Sequence, residues 1–184
     1  MVLGGADRNG WKSYGAPEWD KKRPEKIYFD ELRRISKNQV IWGGNYFSDY
    51  LPTSQGWYFW DKGQRSFSLA DGELAWTSYD RALRVFEYPR AKALQDGKEH
   101  PTQKPVELFE WCLNRSKECK VIFDGFVGSG TTCVACERLD KKSIVVEVSI
   151  KNFDIACRRT EREVNQPKLN IFEKQEEQIN MEFL

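Results

Sequence analysis

Histidine is almost missing from this chain, with one residue, His100, in 184. A metal centre built on several histidines is thereby excluded. Long apolar runs are missing as well, since no stretch approaches the roughly 18 residues that span a bilayer. Residues 1–10 lack the basic-then-apolar pattern of a secretory signal. A soluble protein of the cytoplasm, with no membrane partner, is the expectation. Charge of one sign is not in excess: Lys plus Arg is 29 and Asp plus Glu is 28. Residues 1–100 hold 16 basic and 14 acidic groups, and residues 101–184 hold 13 and 14. Neither half is a charge block, so a nucleic-acid footprint has to be a local patch. Cysteine is sparse and odd in number: Cys112, Cys119, Cys133, Cys136 and Cys157. The Cys133/Cys136 spacing suits a metal, but both fall on one face of an expected helix and no second pair stands at zinc-finger distance. They read as small buried hydrophobes, and no metal site is expected.

Aromatic residues are what the chain does have. Seven Trp, seven Tyr and 11 Phe in a 40% apolar composition can build a core and exclude disorder throughout. At 21.6 kDa the length suits one domain, over about residues 1–163. Residues 1–23 read as a polar, Gly-rich start. A helix is expected from Pro24 to about Lys37, then strands over residues 39–42, 57–60, 74–79 and 84–88. Residues 89–100 read as a polar loop, followed by a helix with Val106, Phe109, Cys112 and Leu113 inward. Residues 120–124 form a strand whose consecutive apolar residues suit a sheet covered on both faces. A Gly-rich turn, a helix over residues 131–139, a strand over 143–148 and a helix over 150–163 complete a βαβα order. Ile150, Phe153 and Cys157 are expected inward on the last helix, with Arg158, Arg159 and Arg162 outward. This order argues for an α/β parallel sheet with helices on both faces. Residues 164–184 form a Gln/Glu-rich tail with the spacing of a terminal helix.

The strongest motif is Asp124-Gly125-Phe126-Val127-Gly128-Ser129-Gly130-Thr131-Thr132, between an expected strand and helix. Its glycines permit unusual dihedrals and close approach, and the helix start offers N–H groups without intrahelical acceptors. Glu147, at the end of the next strand, stands 17 residues beyond Gly130, near the distance at which an acid takes ribose hydroxyls. Together they describe a pocket for a nucleoside-containing cofactor. The third glycine of G-x-G-x-x-G is absent, which disfavours a nicotinamide-dependent oxidoreductase.

Asp124 to Thr132 resembles the cofactor motif of S-adenosylmethionine-dependent DNA amino-methyltransferases, which methylate adenine N6 or cytosine N4. His100-Pro101-Thr102-Gln103-Lys104-Pro105 is similar to the segment that precedes it in the permuted beta-type order. Glu18-Trp19-Asp20, residues 36–47, Trp60-Asp61-Lys62-Gly63 and residues 73–78 resemble the small phage and prophage members. The resemblance covers about residues 18–163 and implies a Rossmann-like methyltransferase sheet. By it, Asp124, Phe126, Gly128, Gly130 and Thr131 line the cofactor, Glu147 holds its ribose, and Lys104 with Thr102 closes the pocket. His100 belongs to the same segment, with a cofactor-side or loop-anchoring role.

The same family uses an Asp/Asn/Ser-Pro-Pro-aromatic motif to align the target amine with the methyl group and stack the flipped base. No Pro-Pro pair occurs in the chain. By the resemblance, that motif and its strand belong before about Gly4, so the sheet is expected to be incomplete or rearranged at the N-terminus. A truncated product, a rearranged sheet, a homodimer or a partner chain are the open alternatives, and no catalytic residue is assigned. Trp42, Trp57, Trp60 and Trp76 read as core. Asn45 and Tyr46, after a strand end and a Gly-Gly turn, are candidates beside the substrate. Lys62, Arg65 and Arg84, with Arg81 and Arg90, are candidates for DNA phosphate. Residues 89–100 fall where beta-type relatives place part of target recognition. The expected function is methyl transfer from S-adenosylmethionine to an exocyclic amine of double-stranded DNA, adenine N6 first, in a bacterial or phage-infected cell. The alternative is an inactive relative that keeps cofactor or DNA binding or serves a partner chain.

Overall fold

A computed structural model describes residues 23–65, 68–95, 103–116 and 118–166. The chain divides into two compact units, Met1–Trp111 and Cys112–Leu184.

In the first unit, α1 (Lys26–Ile35) leads into β1 (Val40–Trp42), a 3-10 turn (Gly44–Phe47), β2 (Trp57–Asp61), β3 (Gly72–Thr77), β4 (Arg84–Glu87), α2 (Arg90–Gln95) and the start of α3 (Val106–Asn114). The four strands lie in the order β1-β3-β2-β4. β3 is antiparallel to β1 and β2, while β4 runs parallel to β2. Strand alternation sends Trp57 to one face and Tyr58 and Trp60 to the other. On the first face Phe29 of α1, Leu51 and Trp76 form a buried cluster against Ile41, Phe47 and Trp57. On the second, Trp60, Tyr88 and Leu108 of α3 form another, with Trp42, Phe86 and Phe109 beside it. This sheet therefore has a helix on each face. The tryptophans are core residues, as expected: Trp60 and Trp76 are buried, and Trp42 and Trp57 pack half-buried against the clusters.

Two expectations here need correction. Residues 90–95 are helical, because Arg-Ala-Lys-Ala-Leu-Gln consists of strong helix formers directly after Pro89. On α3 Cys112 is buried as expected, but Leu108 is the fully buried residue and Val106, Phe109 and Leu113 are only half-buried.

The second unit contains β5 (Val121–Asp124), α4 (Thr131–Arg138), β6 (Lys142–Val145) and α5 (Ile150–Val164). β5 and β6 are parallel, with Val121 opposite Lys142 and Asp124 opposite Val145. Helix α4 packs against both α5 and β6, and its residues Thr131 to Cys136 are all buried. The expected βαβα unit is therefore present, but the strands do not join one sheet: among the described residues they form two. Nor is the β5–β6 pair covered on both faces. Val121, Phe123, Ile144 and Val146 are exposed large hydrophobes, and Ile122 and Val145 are half-buried. The regular ladder ends at Val145, where β5 gives way to the Gly-rich turn, and Val146 bonds instead to the Asp124 carbonyl and the Val127 amide. On α5 the inward residues are Asn152, Ile155 and Ala156. Ile150 and Phe153 are exposed, so the helix is rotated from the face its apolar spacing suggested. Cys133 and Cys136 are buried as read, and burial raises both thiols, that of Cys136 to about 12.

Candidate functional site

The Gly-rich turn is a hydrogen-bonded cradle closed by two carboxylates. Asp124, the last residue of β5, accepts from the Phe126 amide (2.9 Å) through Oδ1 and from the Thr132 hydroxyl (2.5 Å) through Oδ2. It thus ties both ends of the turn together. The Val146 amide donates to the Asp124 carbonyl (2.9 Å), and Gly130 N–H closes the turn on the Val127 carbonyl (3.0 Å). Gly128 and Gly130 have φ of +55° and +82°, the left-handed region open to glycine at little cost. Gly130 leaves no room for a side chain, because a Cβ there would stand 2.7 Å from Ala156 Cα on α5.

Glu147 reaches the same turn from beyond β6. Its Oε2 accepts from the Gly128 amide and its Oε1 from the Ser149 amide, both at 2.9 Å. Sequence spacing brought Asp124, Gly128, Gly130, Thr131 and Glu147 together as candidates, and the second unit assembles them around one turn. Phe126 is 62% exposed at its rim, and Val148 and Ile150, after Glu147, are 86% and 79% exposed. An acid beside bare apolar side chains suits a ligand with a hydroxylated sugar and a flat ring. Each carboxylate oxygen carries two lone pairs and spends one on the fold, so Asp124 and Glu147 retain acceptor capacity.

Sequence reading missed Arg159. It was placed on the outward face of the last helix, but it is half-buried and its Nη1 donates to the Ser129 carbonyl (2.6 Å), the Ser129 hydroxyl (3.0 Å) and the Thr131 hydroxyl (3.3 Å). Val148 and Ile150 were missed as well; the signal available was their place directly after the acid.

The other candidates lie in the first unit. Trp42 ends β1, Gly43 takes a left-handed φ of +73°, and Asn45 and Tyr46 follow exposed on the 3-10 turn, Tyr46 at 72%. Lys62 and Lys104 meet at one carboxylate, that of Glu73 on β3, at 2.7 and 3.2 Å. Burial pushes the Glu73 carboxyl up, but the Lys104 and Lys62 charges outweigh it and hold the group below its usual range. Lys62 also lies 4.9 Å from the centre of the Trp60 ring, and Lys104 5.8 Å from that of Trp42. Arg65 chelates Asp61 (2.6 and 2.9 Å). With the Gly63 amide, Arg65 draws the Asp61 carboxyl down to about 2. Arg84 is exposed and donates to the Leu83 carbonyl. His100 and Thr102 lie outside the described residues, as does the tail beyond residue 166.

Residues 12–158 match the N6_N4_Mtase family model, described as DNA methylase. The chain belongs to this DNA methylase family. Among the relatives of this chain, the Type II methyltransferase M2.DpnII of Streptococcus pneumoniae is 32% identical over 121 residues, 54% of this chain and 45% of the relative. M2.LlaDCHI of Lactococcus lactis subsp. cremoris is 42% identical over 117 residues, 52% of this chain and 44% of the relative. M2.MboI of Moraxella bovis is 26% identical over 159 residues, 82% of this chain and 50% of the relative. The matches thus span about half the length of these relatives. The crystal structure of the M1.HpyAVI–SAM complex superposes with a TM-score of 0.59 at 22% identity, covering 78% of this chain and 85% of that one. The likeness shows that the chain has the Rossmann-like fold expected from its sequence.

Proposed function

We propose that this methylase binds S-adenosylmethionine on the Asp124–Thr132 turn and transfers its methyl group to an exocyclic amine of double-stranded DNA, adenine N6 in preference to cytosine N4. The arrangement of Asp124 and Glu147 around the Gly128–Gly130 turn carries the reading. The SAM bound in the structural neighbour M1.HpyAVI supports it, as do the Type II methyltransferase names of the relatives.

Glu147 fits the ribose hydroxyls, because its oxygens are fixed by the Gly128 and Ser149 amides and each retains a lone pair. The exposed faces of Val148, Ile150 and Phe126 fit the adenine ring. Asp124 is held by its own turn and fits an ammonium or hydroxyl donor. When bound, the cofactor supplies an electrophilic methyl on a sulfonium. The protein's part is to hold that end of the cofactor rigid, which lowers the entropic cost of a near-attack geometry. Attack by an exocyclic amine needs no strong base beforehand, since the proton leaves as charge develops on nitrogen. His100 is therefore assigned no proton transfer.

A second reading rests on a fact of the sequence: no Pro-Pro pair exists to orient the target amine. The chain would then bind cofactor or DNA without transferring methyl, or act with a second copy or a partner chain. Two measurements separate the readings. Calorimetric titration with S-adenosylmethionine should show saturable binding that Glu147→Ala weakens at least tenfold, about 1.4 kcal/mol. Labelled methyl should then pass from the cofactor to unmethylated plasmid DNA. Binding without transfer selects the second reading, and absence of binding by the folded wild-type chain rejects both as cofactor proteins.

A further inference from the structure

We infer that Arg159 is a positioning residue that holds the Gly-rich turn in its cofactor-receiving shape; the inference rests on the assignment of that turn to the cofactor. Twenty-eight to thirty residues separate Arg159 from the atoms it binds, so α5 is used to shape a loop it does not adjoin in sequence. The contacts fall where the turn is softest. Ser129 lies between two glycines in left-handed conformations, and glycine is the residue least restrained by its own sterics. A guanidinium hydrogen on the Ser129 carbonyl fixes the peptide plane between Ser129 and Gly130. The same nitrogen reaches the hydroxyls of Ser129 and Thr131, themselves buried.

The grip has a second point on the same face of α5. Ala156 stands three residues before Arg159, one helical turn away, and it is the residue against which Gly130 is seated. Contact at Ala156 sets the depth of the turn and Arg159 sets its orientation. Helix stability does not account for the arginine. A cation at the N-terminus of α4 opposes the helix dipole, which favours anions there and cations at the far end. Nor does solvation, since Arg158 beside it is exposed while Arg159 is folded inward.

The test uses the full chain, with calorimetric titration of S-adenosylmethionine and S-adenosylhomocysteine at 10 °C and the melting temperature of each variant measured alongside. Arg159→Met is expected to weaken both ligands about tenfold. Arg159→Lys, which returns one donor and the charge, should restore binding to within about threefold. Arg158→Met should bind as wild type. Hydrogen exchange should accelerate at amides 128–132 in Arg159→Met while the amides of β5 and β6 keep their protection. If Arg159→Met does not fold, Arg159→Lys carries the test, with a loss of about threefold and faster exchange confined to the turn. A variant that melts earlier but binds with the wild-type constant overturns the inference and leaves Arg159 as a stabilising contact only. Equal weakening by Arg158→Met overturns it too. Failure of the wild-type chain to bind either ligand would reject the cofactor assignment itself, a result separate from the comparison among variants.

Discussion

A methyl group added at residue 130 would lie 2.7 Å from Ala156 Cα and 2.8 Å from its Cβ, with the backbone held at φ +82°. Two costs combine there: about 1–2 kcal/mol for a left-handed non-glycine residue and about 1–3 kcal/mol for overpacking against a helix backbone. Gly130→Ala should therefore lower the urea-derived stability by about 2–5 kcal/mol. Gly128→Ala meets nothing closer than 4.0 Å and should cost only the conformational part. The thiols respond in another way. Burial raises Cys112 and Cys136 to about 12 from an ordinary 9.0. Between those values the unfolded chain has lost protons that the native chain retains, so ν_U − ν_N is negative and stability falls as pH rises. The loss should reach at most about 1.4 kcal/mol for each thiol by about pH 10. The Cys112→Ala/Cys136→Ala double variant should show a smaller drop in urea midpoint from pH 8 to pH 10 than wild type. Equal drops would mean that these thiols are not shielded.

Among the elements, the Gly-rich turn was the most legible, because its geometry demands particular residue types in a fixed order: an acid at the strand end, glycines where φ is positive, a hydroxyl at the helix start. Arg159 was not legible for the opposite reason. Helical periodicity places a side chain on a face, but it does not tell which carbonyl of a distant loop lies beside that face. The parallel placement of β4 next to β2 is equally non-local, since β3 intervenes in sequence. Helix α2 was overlooked because its polarity suggested a loop, although propensity favoured a helix. The β5–β6 pair was misread because Val121-Ile122-Phe123 has the run of a strand buried on two sides, while one face of the pair is exposed and α4 packs against β6. That open side has a consequence. Val121, Phe123, Ile144 and Val146 make a patch of the kind that promotes association. Ile144, 58% exposed, rests on too few neighbours to matter much to stability. Ile144→Lys should lower binding of an apolar fluorescent dye such as ANS and raise the solubility limit, with unfolding stability within about 0.5 kcal/mol of wild type. Loss of several kcal/mol instead would show that the face is buried in solution.

For the whole molecule, charge balance limits how the proposed DNA substrate would be held. The chain carries a net charge of +1, so affinity cannot come from a general positive field and must come from a few cations facing phosphate. Pairing thins the candidates further. Lys62 and Lys104 share Glu73, and Arg65 is chelated by Asp61. Engaging a phosphate with any of them first requires parting it from a carboxylate. Arg84 is exposed and has no ion-pair partner among the described residues, so it can meet phosphate without that step. On the proposed reading, about two or three phosphate contacts would set the electrostatic share of DNA binding. With a slope near −0.9 per contact, a chain making three should lose about 40-fold in DNA affinity between 50 and 200 mM salt. Arg84→Ala should reduce that slope by about one, whereas Lys62→Ala should reduce it by less, because Lys62 is held at the Glu73 carboxylate that it shares with Lys104. Fluorescence anisotropy with a labelled duplex across that salt range measures both. A steep slope, equivalent to six or more contacts, would contradict the pairing seen at Asp61 and Glu73, and would require those ion pairs to open when DNA arrives.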